Sequence, residues 1–213
     1  MKIIVTSEVT EGDYQKVSDI TWPIIQKYCD LHGYEFHPKV VVNPERDSIW
    51  ERVNSLQDAL KNSDWAVHVD ADWMPTHFGV KLESFIENNK CVITSEADYN
   101  GRMMINDGFL MMSDSMLSFG LLGHGWKMLY PDGGIFCFQD YLDSVYRNSD
   151  DPIRESFKVM PQDRCNSFLW AEYSGSESTP GNWQEGHFAL HLPGMTTEKR
   201  VLLLNEYKER IVR

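Results

Sequence analysis

Hydrophobic residues occur in short runs that alternate with longer stretches of helical spacing. Residues 2–5 are an apolar run typical of a buried first strand, and residues 14–32 have a helical pattern that ends at Gly33. Pro23 lies either in the first turn of that helix or at a kink within it. The segment DSIWERVNSLQDALKN predicts a second helix, because Ser48 and Glu51 have the spacing of a capping box.

The next segment, DWAVHVDAD, alternates apolar residues as a strand does and ends at two aspartates. Strands separated by helices predict an α/β fold with a mostly parallel sheet flanked by helices. Because no repeat or linker divides the chain, residues 1–213 are predicted to be one domain. The remaining predicted elements are a helix over 78–88, a strand at CVITS, a turn at Asn100 and Gly101, a strand at MMINDGFLMM, a short helix after Ser113, a helix over 138–147, a strand at FALHL and a closing helix over 197–211.

The chain is acidic, with 32 Asp and Glu residues against 20 Lys and Arg and a net charge of −12. Such a surface repels nucleic acid and anionic lipid, so neither is expected as a partner. A phosphate-bearing substrate would require help from a cation or from helix N-termini. The absence of CxxC spacing and of an apolar run of about 20 residues predicts a cytoplasmic protein with reduced thiols and no membrane span. The four cysteines are Cys29, Cys91, Cys137 and Cys165.

Asp70 and Asp72 are the central candidates for chemistry. Residues two apart in a strand point the same way, so both carboxylates can bind one ion. Paired oxygen donors favour Mg²⁺ or Mn²⁺, which can neutralise a diphosphate leaving group. The alternative is a solvated or turn-forming pair. A position at the carboxyl end of a predicted parallel strand favours a site, because ligands bind at that edge of such sheets.

Four segments resemble, in order, the galactosyl-, mannosyl- and xylosyltransferases of glycosyltransferase family 34 (the Gma12/Mnn10 type). They are SIWERVNSLQDAL preceding DWAVHVDADWMP, NDGFL at 106–110, FQDYL at 138–142, and NWQEGHFALHLPG ending at Gly194. The resemblance implies a GT-A (Rossmann-like) fold and a Mn²⁺-dependent transfer, with Mg²⁺ as second choice. It also implies a retaining reaction that moves a hexose or pentose from a nucleotide diphosphate sugar, with a UDP-sugar preferred, to a carbohydrate or other hydroxyl acceptor.

The resemblance also implies roles for individual positions. His191 would complete the metal site of Asp70 and Asp72, and an imidazole added to two carboxylates favours Mn²⁺ over Mg²⁺. Gln139 and the neighbouring Asp140 are expected on the donor-sugar side of the reaction centre, where a neutral amide can stabilise an oxocarbenium-like sugar. The candidates for contacting the sugar substrates are Asn106, Asp107 and Gly108.

Further candidates for binding the nucleotide diphosphate rest mainly on their position. Thr6, Ser7 and Glu8 follow the predicted first strand, where such folds hold the base and ribose. Gly194 either lets the backbone approach the diphosphate or turns the chain before the last helix. Lys199 lies near the N-terminus of that helix, a place that favours anions. Arg52 occupies a position where the family usually has Lys, so the charge is preserved but the geometry differs.

Two departures from the family pattern leave the donor sugar open. Phe138 precedes Gln139 where an acidic residue is expected, and His187 replaces the Asp of Gly-Asp-Phe. The alternative from another functional class is therefore a carbohydrate-binding module without catalytic activity. A phosphatase of the haloacid dehalogenase type also has Asp-x-Asp after a strand. In those phosphatases the motif lies near the start of the chain, and Thr or Val occupies the position at which this sequence has Met74.

Overall fold

A computed structural model describes residues 1–42, 50–99, 102–128, 138–169, 172 and 181–212. Ser48, Asn100, Gly101 and Cys137 lie outside these residues, so the predictions made for them stay predictions. The strands are β1 (Ile3–Thr10), β2 (Glu35–Val41), β3 (Trp65–Val69), β4 (Trp73–Pro75), β5 (Val92–Tyr99), β6 (Arg102–Ser113), β7 (Phe157–Met160), β8 (Ser167–Phe168) and β9 (Ala189–His191). The helices are α1 (Gln15–His32), α2 (Glu51–Leu60), α3 (Met116–Met128), α4 (Phe138–Asn148), α5 (Asp151–Glu155) and α6 (Thr197–Tyr207), with 3₁₀ turns at Leu82–Phe85, Gln162–Arg164 and Lys208–Arg210.

Six strands form the central sheet in the order β2-β1-β3-β6-β5-β7. The pairs β1/β2, β1/β3 and β5/β7 are parallel, whereas β6 is antiparallel to both of its neighbours. The connection from β5 to β6 is too short for a crossover helix, so the chain reverses there. The prediction of a mostly parallel α/β sheet flanked by helices is confirmed, with β6 as the reversed strand.

Helices cover both faces of this sheet because its strand residues alternate between two hydrophobic clusters. On one face Val67 and Phe109 pack in a cluster with Ile25 of α1. On the other face Ala66 packs in a cluster with Leu56 of α2 and with α3 and α4. The strands are therefore buried on both sides, as expected for the centre of an α/β protein.

A smaller sheet of three strands, in the order β4-β9-β8, lies beside the carboxyl end of β3. Strand β4 begins at Trp73, immediately after Asp72, and pairs antiparallel with β9 so that Trp73 is opposite His191. Strand β8 pairs parallel with β9, with Phe168 opposite His191. This sheet brings a distant histidine to the end of β3.

Several element boundaries differ from the sequence prediction. Strand β1 continues through Thr10 instead of ending at residue 5, because it pairs with β2 along its whole outer half. Only a 3₁₀ turn forms within 78–88. Helix α1 ends at Gly33 as predicted, with φ of 74°, and Pro23 lies inside the helix and not in its first turn. Among the described residues, no helix has the length and apolar character needed to cross a membrane.

Candidate active site

Asp70 and Asp72 occupy the turn between β3 and β4. The backbone N–H of Asp70 donates to the carbonyl of Gly108 at 3.1 Å, and the hydroxyl of Thr21 donates to the carbonyl of Ala71 at 2.6 Å. The turn is thus fastened both to the neighbouring strand β6 and to helix α1. Asp72 is buried, whereas the Asp70 side chain is 25% exposed. One carboxylate therefore lies below the surface and the other is open to a ligand.

The His191 imidazole faces both carboxylates. Its Nε2 lies 3.4 Å from Oδ2 of Asp70 and 3.2 Å from Oδ1 of Asp72, yet makes no hydrogen bond to a described residue. Ligand atoms of the three side chains all lie within 4.8 Å of one another. Two carboxylates and a buried ring nitrogen aimed at one point are a donor set suited to a divalent cation. The geometry suggests a divalent metal site; the identity of the metal is a separate question.

Charges within this group alter the acidities of its members. Burial lowers the pKa of His191, but the charges of Asp72 and Asp70 outweigh it and raise the pKa to about 9. Burial raises the pKa of Asp70, but Arg52 and the two neighbouring histidines outweigh it and hold the pKa well below its usual range. Burial likewise raises the pKa of Asp72, but His191 and Arg200 outweigh it and lower the pKa. Both carboxylates are therefore ionised at neutral pH, as carboxylate metal ligands must be.

Asp70 also contacts a group of buried charged residues below the turn. Arg52 lies 2.9 Å from Oδ1 of Asp70 and 2.6 Å from Oδ1 of Asp107. His68 bridges carboxylates, with Nδ1 2.9 Å from Glu8 and Nε2 3.1 Å from Asp70. These contacts fix the orientation of Asp70 from two directions. Arg52 thus supports the Asp70 and Asp72 pair by contacting Asp70, and it also forms an ion pair with Asp107.

The NDG segment lies in the middle of β6, where the strand bulges. Ile93 of β5 is opposite Met111 of β6, but Ser95 is opposite Asn106, so several residues of β6 have no partner on β5. The hydroxyl of Thr94 lies in this gap, 3.0 Å from the carbonyl of Asn106 and 3.1 Å from that of Phe109. The bulge turns the Asn106 and Gly108 region towards the end of β3. Bulges of this kind often redirect side chains beside active sites.

Gly108 contacts His191 directly. A Cβ at position 108 would lie 2.2 Å from Cε1 and 2.6 Å from Nδ1 of the imidazole. The sequence resemblance implied a sugar-binding role for Gly108. The structure places it against the imidazole, where the absence of a side chain admits the ring; the sugar contact stays a prediction.

Gln139 and Asn106 are joined by hydrogen bonds. The Oε1 of Gln139 accepts from Nδ2 of Asn106 at 3.0 Å and from the backbone N–H of Asp107 at 3.4 Å. The amide oxygen that would face an oxocarbenium-like sugar is thus engaged within the protein, and the amide NH₂ of Gln139 has no partner among the described residues. Asp140 follows in the first turn of α4, where the residue is half-buried.

Arg200, which the sequence reading did not single out, enters the site from α6. Its Nε donates to Oδ2 of Asp72 at 2.7 Å and to the carbonyl of Leu192 at 2.8 Å, and the guanidinium lies over the Tyr14 ring. The adjacent Lys199 points elsewhere, because its amine pairs with Glu172 at 2.8 Å. The helical periodicity of α6 separates these neighbours, so the arginine and not the lysine faces the aspartates.

A cavity of about 310 Å³ opens above the aspartates. Gly194, with φ of 69°, forms part of its wall in the turn before α6. Thr6 and Ser7 lie inside the extended strand β1 and are buried, and Ser7 accepts a hydrogen bond from the Trp22 indole at 2.9 Å. They do not line the cavity. The lining residues are Glu8, Val9, Thr10, Tyr14, Arg52, His68, Asp70, Ala71, Asp72, His191, Pro193, Gly194 and Arg200.

Two other residues that contact the site, His68 and Asn166, were also not predicted from the sequence. His68 lies between Val67 and Val69 in an apolar strand. A polar residue within such a strand, two positions before Asp70, was a feature of the sequence that could have indicated a role in the site. Asn166 lies outside every recognised segment, and its contact with His191 comes from tertiary structure alone.

Comparison with solved structures identifies the fold. A glycosyltransferase involved in the glycosylation of the major capsid of PBCV-1 superposes with a TM-score of 0.75 at 17% identity, covering 97% of this chain and 100% of that one. The fold is that of GT-A glycosyltransferases. The galactosyltransferase LgtC, solved with donor and acceptor sugar analogues, has a TM-score of 0.59 at 10% identity over 97% of this chain and 99% of its own.

Mouse xyloside xylosyltransferase 1 shares the GT-A fold with a TM-score of 0.53 at 13% identity, covering 90% of this chain and 97% of that one. No family model and no curated protein matches this sequence. The resemblance to family 34 therefore stays a prediction, whereas the GT-A fold that it implied is confirmed. At these identities the likeness concerns the fold, and function must be argued from the site.

Proposed function

We propose that this protein is a glycosyltransferase that uses a divalent metal, with Mn²⁺ preferred over Mg²⁺, and a nucleotide diphosphate sugar. The observation that carries the proposal is the convergence of Asp70, Asp72 and His191 at the mouth of a cavity in a GT-A fold. The donor is a UDP-sugar by preference, a hexose or pentose is transferred with retention, and the acceptor is a carbohydrate or other hydroxyl. The single domain of residues 1–213 and a cytoplasmic location belong to the same proposal.

The ion held by these three residues would supply positive charge to the leaving diphosphate. The chain's own residues prepare for that ligand in two ways. Arg52 holds Asp70 in place from below. Arg200 anchors Asp72 through Nε, and its Nη2 has no hydrogen-bond partner among the described residues, so it is available to a phosphate oxygen. We therefore assign to Arg200 the diphosphate contact that the sequence suggested for Lys199.

The sugar lies on the side of Gln139 in this proposal. Because the amide oxygen of Gln139 accepts two hydrogen bonds from β6, the group that remains for a ligand is its NH₂, a donor. Gln139 then orients a sugar hydroxyl or ring oxygen by donating a hydrogen bond to it. Stabilisation of the oxocarbenium-like sugar by an amide oxygen is not assigned to Gln139. Asp140 binds sugar hydroxyls beside it, and Asn106 and Asp107 act by fixing Gln139 and Arg52. Thr6 and Ser7 support the base and ribose wall from within β1, and Gly194 gives the backbone close access to the diphosphate.

A thermal-shift measurement with Mn²⁺ and UDP tests the binding part. At a hundredfold excess over Kd a ligand stabilises the folded state by about 2.7 kcal/mol, which raises Tm by roughly 5–10 °C for a domain of this size. We expect Asp72→Asn to lose this rise. Asp143→Asn is the matched control, because Asp143 is equally buried but bonds the backbone of Ile105 and Arg147 outside the cavity. It should keep the rise.

Nucleotide release from a panel of UDP- and GDP-sugars tests the reaction. Wild type should release nucleotide with Mn²⁺ and lose this activity with EDTA, whereas Asp72→Asn should be inactive. Equal release by wild type and Asp72→Asn would refute the metal mechanism. A protein that gains stability from free sugars but not from Mn²⁺ and UDP would instead be a carbohydrate-binding module.

A further inference from the structure

Asn166 contacts His191 on the side opposite the aspartates. It is fully buried and follows the 3₁₀ turn Gln162–Arg164, with its backbone N–H donating to the carbonyl of Gln162 at 2.9 Å. Its Oδ1 lies 2.9 Å from Nδ1 of His191. Its Nδ2 lies 3.0 Å from Oγ of Ser95 and 2.5 Å from Oδ1 of Asn106. Both N–H groups of this side-chain amide and one lone pair of its oxygen are therefore engaged.

The orientation of the amides follows from one backbone group. The N–H of Gly108 can only donate, and it lies 3.1 Å from Oδ1 of Asn106, so that atom is an oxygen. The Asn166 atom facing it must then be the NH₂ nitrogen. The other end of the Asn166 amide, towards His191, is consequently the oxygen. The same logic orients Asn106 towards Gln139, because Oε1 of Gln139 also accepts from the backbone N–H of Asp107.

The amide oxygen of Asn166 requires a proton on Nδ1 of His191. With Nδ1 carrying a hydrogen, Nε2 is the nitrogen that would give up its proton to a metal, and its lone pair would then point between Asp70 and Asp72. Gly108 and the Phe168 ring, whose centroid is 5.2 Å from that of His191, contact the imidazole as well. Neither of these contacts distinguishes the two ring nitrogens. The aspartates face Nε2, and Asn166 supplies the hydrogen-bond acceptor at Nδ1.

We propose that Asn166 is a positioning residue that fixes the Nδ1–H tautomer of His191 and so directs Nε2 to the metal. The inference rests on the proposed metal site but assigns a residue outside it. A series of hydrogen bonds sets this orientation: it runs from the Gly108 N–H through Asn106 and Asn166 to His191. The same Asn106 contacts Gln139, so one row of amides orients both the metal ligand and the residue on the sugar side.

The experiment measures Mn²⁺ affinity by calorimetry, together with urea unfolding, for wild type, Asn166→Ala and Asn166→Asp. Loss of a hydrogen bond that orients a metal-bound histidine weakens metal binding by about 10- to 100-fold, and we expect that loss for Asn166→Ala. Asn166→Asp keeps an oxygen acceptor for Nδ1–H but turns a donor into a second acceptor against Asn106. It should therefore bind Mn²⁺ within a few-fold of wild type while being at least as destabilised as Asn166→Ala.

A merely structural role predicts a different order, in which Mn²⁺ affinity falls in step with stability and Asn166→Asp is the weaker binder. That order, or unchanged affinity in Asn166→Ala, would overturn the proposal. Ser95→Ala is the matched control, because it removes the other hydrogen-bond acceptor of the Asn166 NH₂ and leaves the His191 contact intact. It should change stability but not affinity.

Nitrogen NMR of histidine-labelled wild type, loaded with Zn²⁺ as a diamagnetic probe, gives a readout that does not depend on the variants folding. The proposal requires the proton of His191 on Nδ1 and the metal on Nε2, and the reverse assignment would refute it. The two proposals also fail separately. If wild type binds neither Mn²⁺ nor Zn²⁺, the proposed function fails. If it binds them and Asn166→Ala binds them equally well, only the role of Asn166 fails.

Discussion

Replacing Gly108 with alanine perturbs the site through a single methyl group. The added Cβ would lie 2.2 Å from Cε1 of His191, 2.6 Å from Nδ1 of that ring and 3.0 Å from Oδ1 of Asn106. Since carbon atoms in contact are separated by about 3.5 Å, the imidazole has to retreat by about 1 Å. The ring is packed against Phe168 and bonded to Asn166, so this movement breaks established contacts.

Two magnitudes follow for Gly108→Ala. Overpacking a buried position typically costs about 1–3 kcal/mol of unfolding free energy. Displacing one of the three proposed metal ligands should weaken Mn²⁺ binding by about 10- to 100-fold, the range found when support of a ligand is lost. Urea unfolding in EDTA measures the first effect and calorimetry with Mn²⁺ measures the second.

Gly120→Ala is the matched control for this experiment. Gly120 lies within α3, and a Cβ there meets no atom within 4 Å. Alanine is the better helix former, so this variant should be more stable by about 0.5–1 kcal/mol and should bind Mn²⁺ as wild type does. A Gly108→Ala protein with wild-type stability and wild-type Mn²⁺ affinity would refute the close packing of Gly108 on His191.

Three further predictions concern the support of the site and the core. Thr94→Val keeps the shape but leaves two buried carbonyls without their hydroxyl, and it should cost about 1–3 kcal/mol in urea unfolding; a change below about 0.5 kcal/mol, the usual range at neutral surface positions, would contradict this role. Arg52→Met leaves the buried carboxylate of Asp107 without its cation and removes a contact of the partly exposed Asp70, so it should cost about 3–5 kcal/mol in EDTA, whereas the exposed control Arg154→Met should be nearly neutral; equal costs would exclude a buried ion pair. Burial raises the pKa of the Cys29 thiol to about 12, so mass-mapped alkylation of the native protein should label Cys91 well before Cys29, and the opposite order would show that the α1 face is open.

The structure changes the meaning of two predicted site residues. Sequence position made Lys199 the candidate for the diphosphate, but a one-residue step on a helix rotates a side chain by about 100°. Lys199 therefore pairs with Glu172 and Arg200 faces Asp72. Gln139 was expected on the donor-sugar side as a neutral amide; hydrogen bonds from β6 engage its oxygen, so its NH₂ is the group left for a ligand.

The sequence alone determined what depends on neighbours along the chain. Alternating apolar residues predicted β3, a helical pattern ending at a glycine predicted α1, and the order of strands and helices predicted the α/β class. The spacing of Asp70 and Asp72 likewise required only that a strand end beside them. These features are local, because backbone geometry and side-chain periodicity set them within a few residues.

Tertiary structure decided what depends on residues far apart in the chain. The pairing of β4 with β9 placed His191 beside Asp72, and the bulge in β6 brought Gly108 against the imidazole. Asn166 acquired its role only when the short turn before β8 was packed against that ring. Strand pairing and burial bring such residues together through contacts that no local pattern records. The three candidate metal-binding residues could therefore be named from the sequence, whereas their orientation and support required the folded chain.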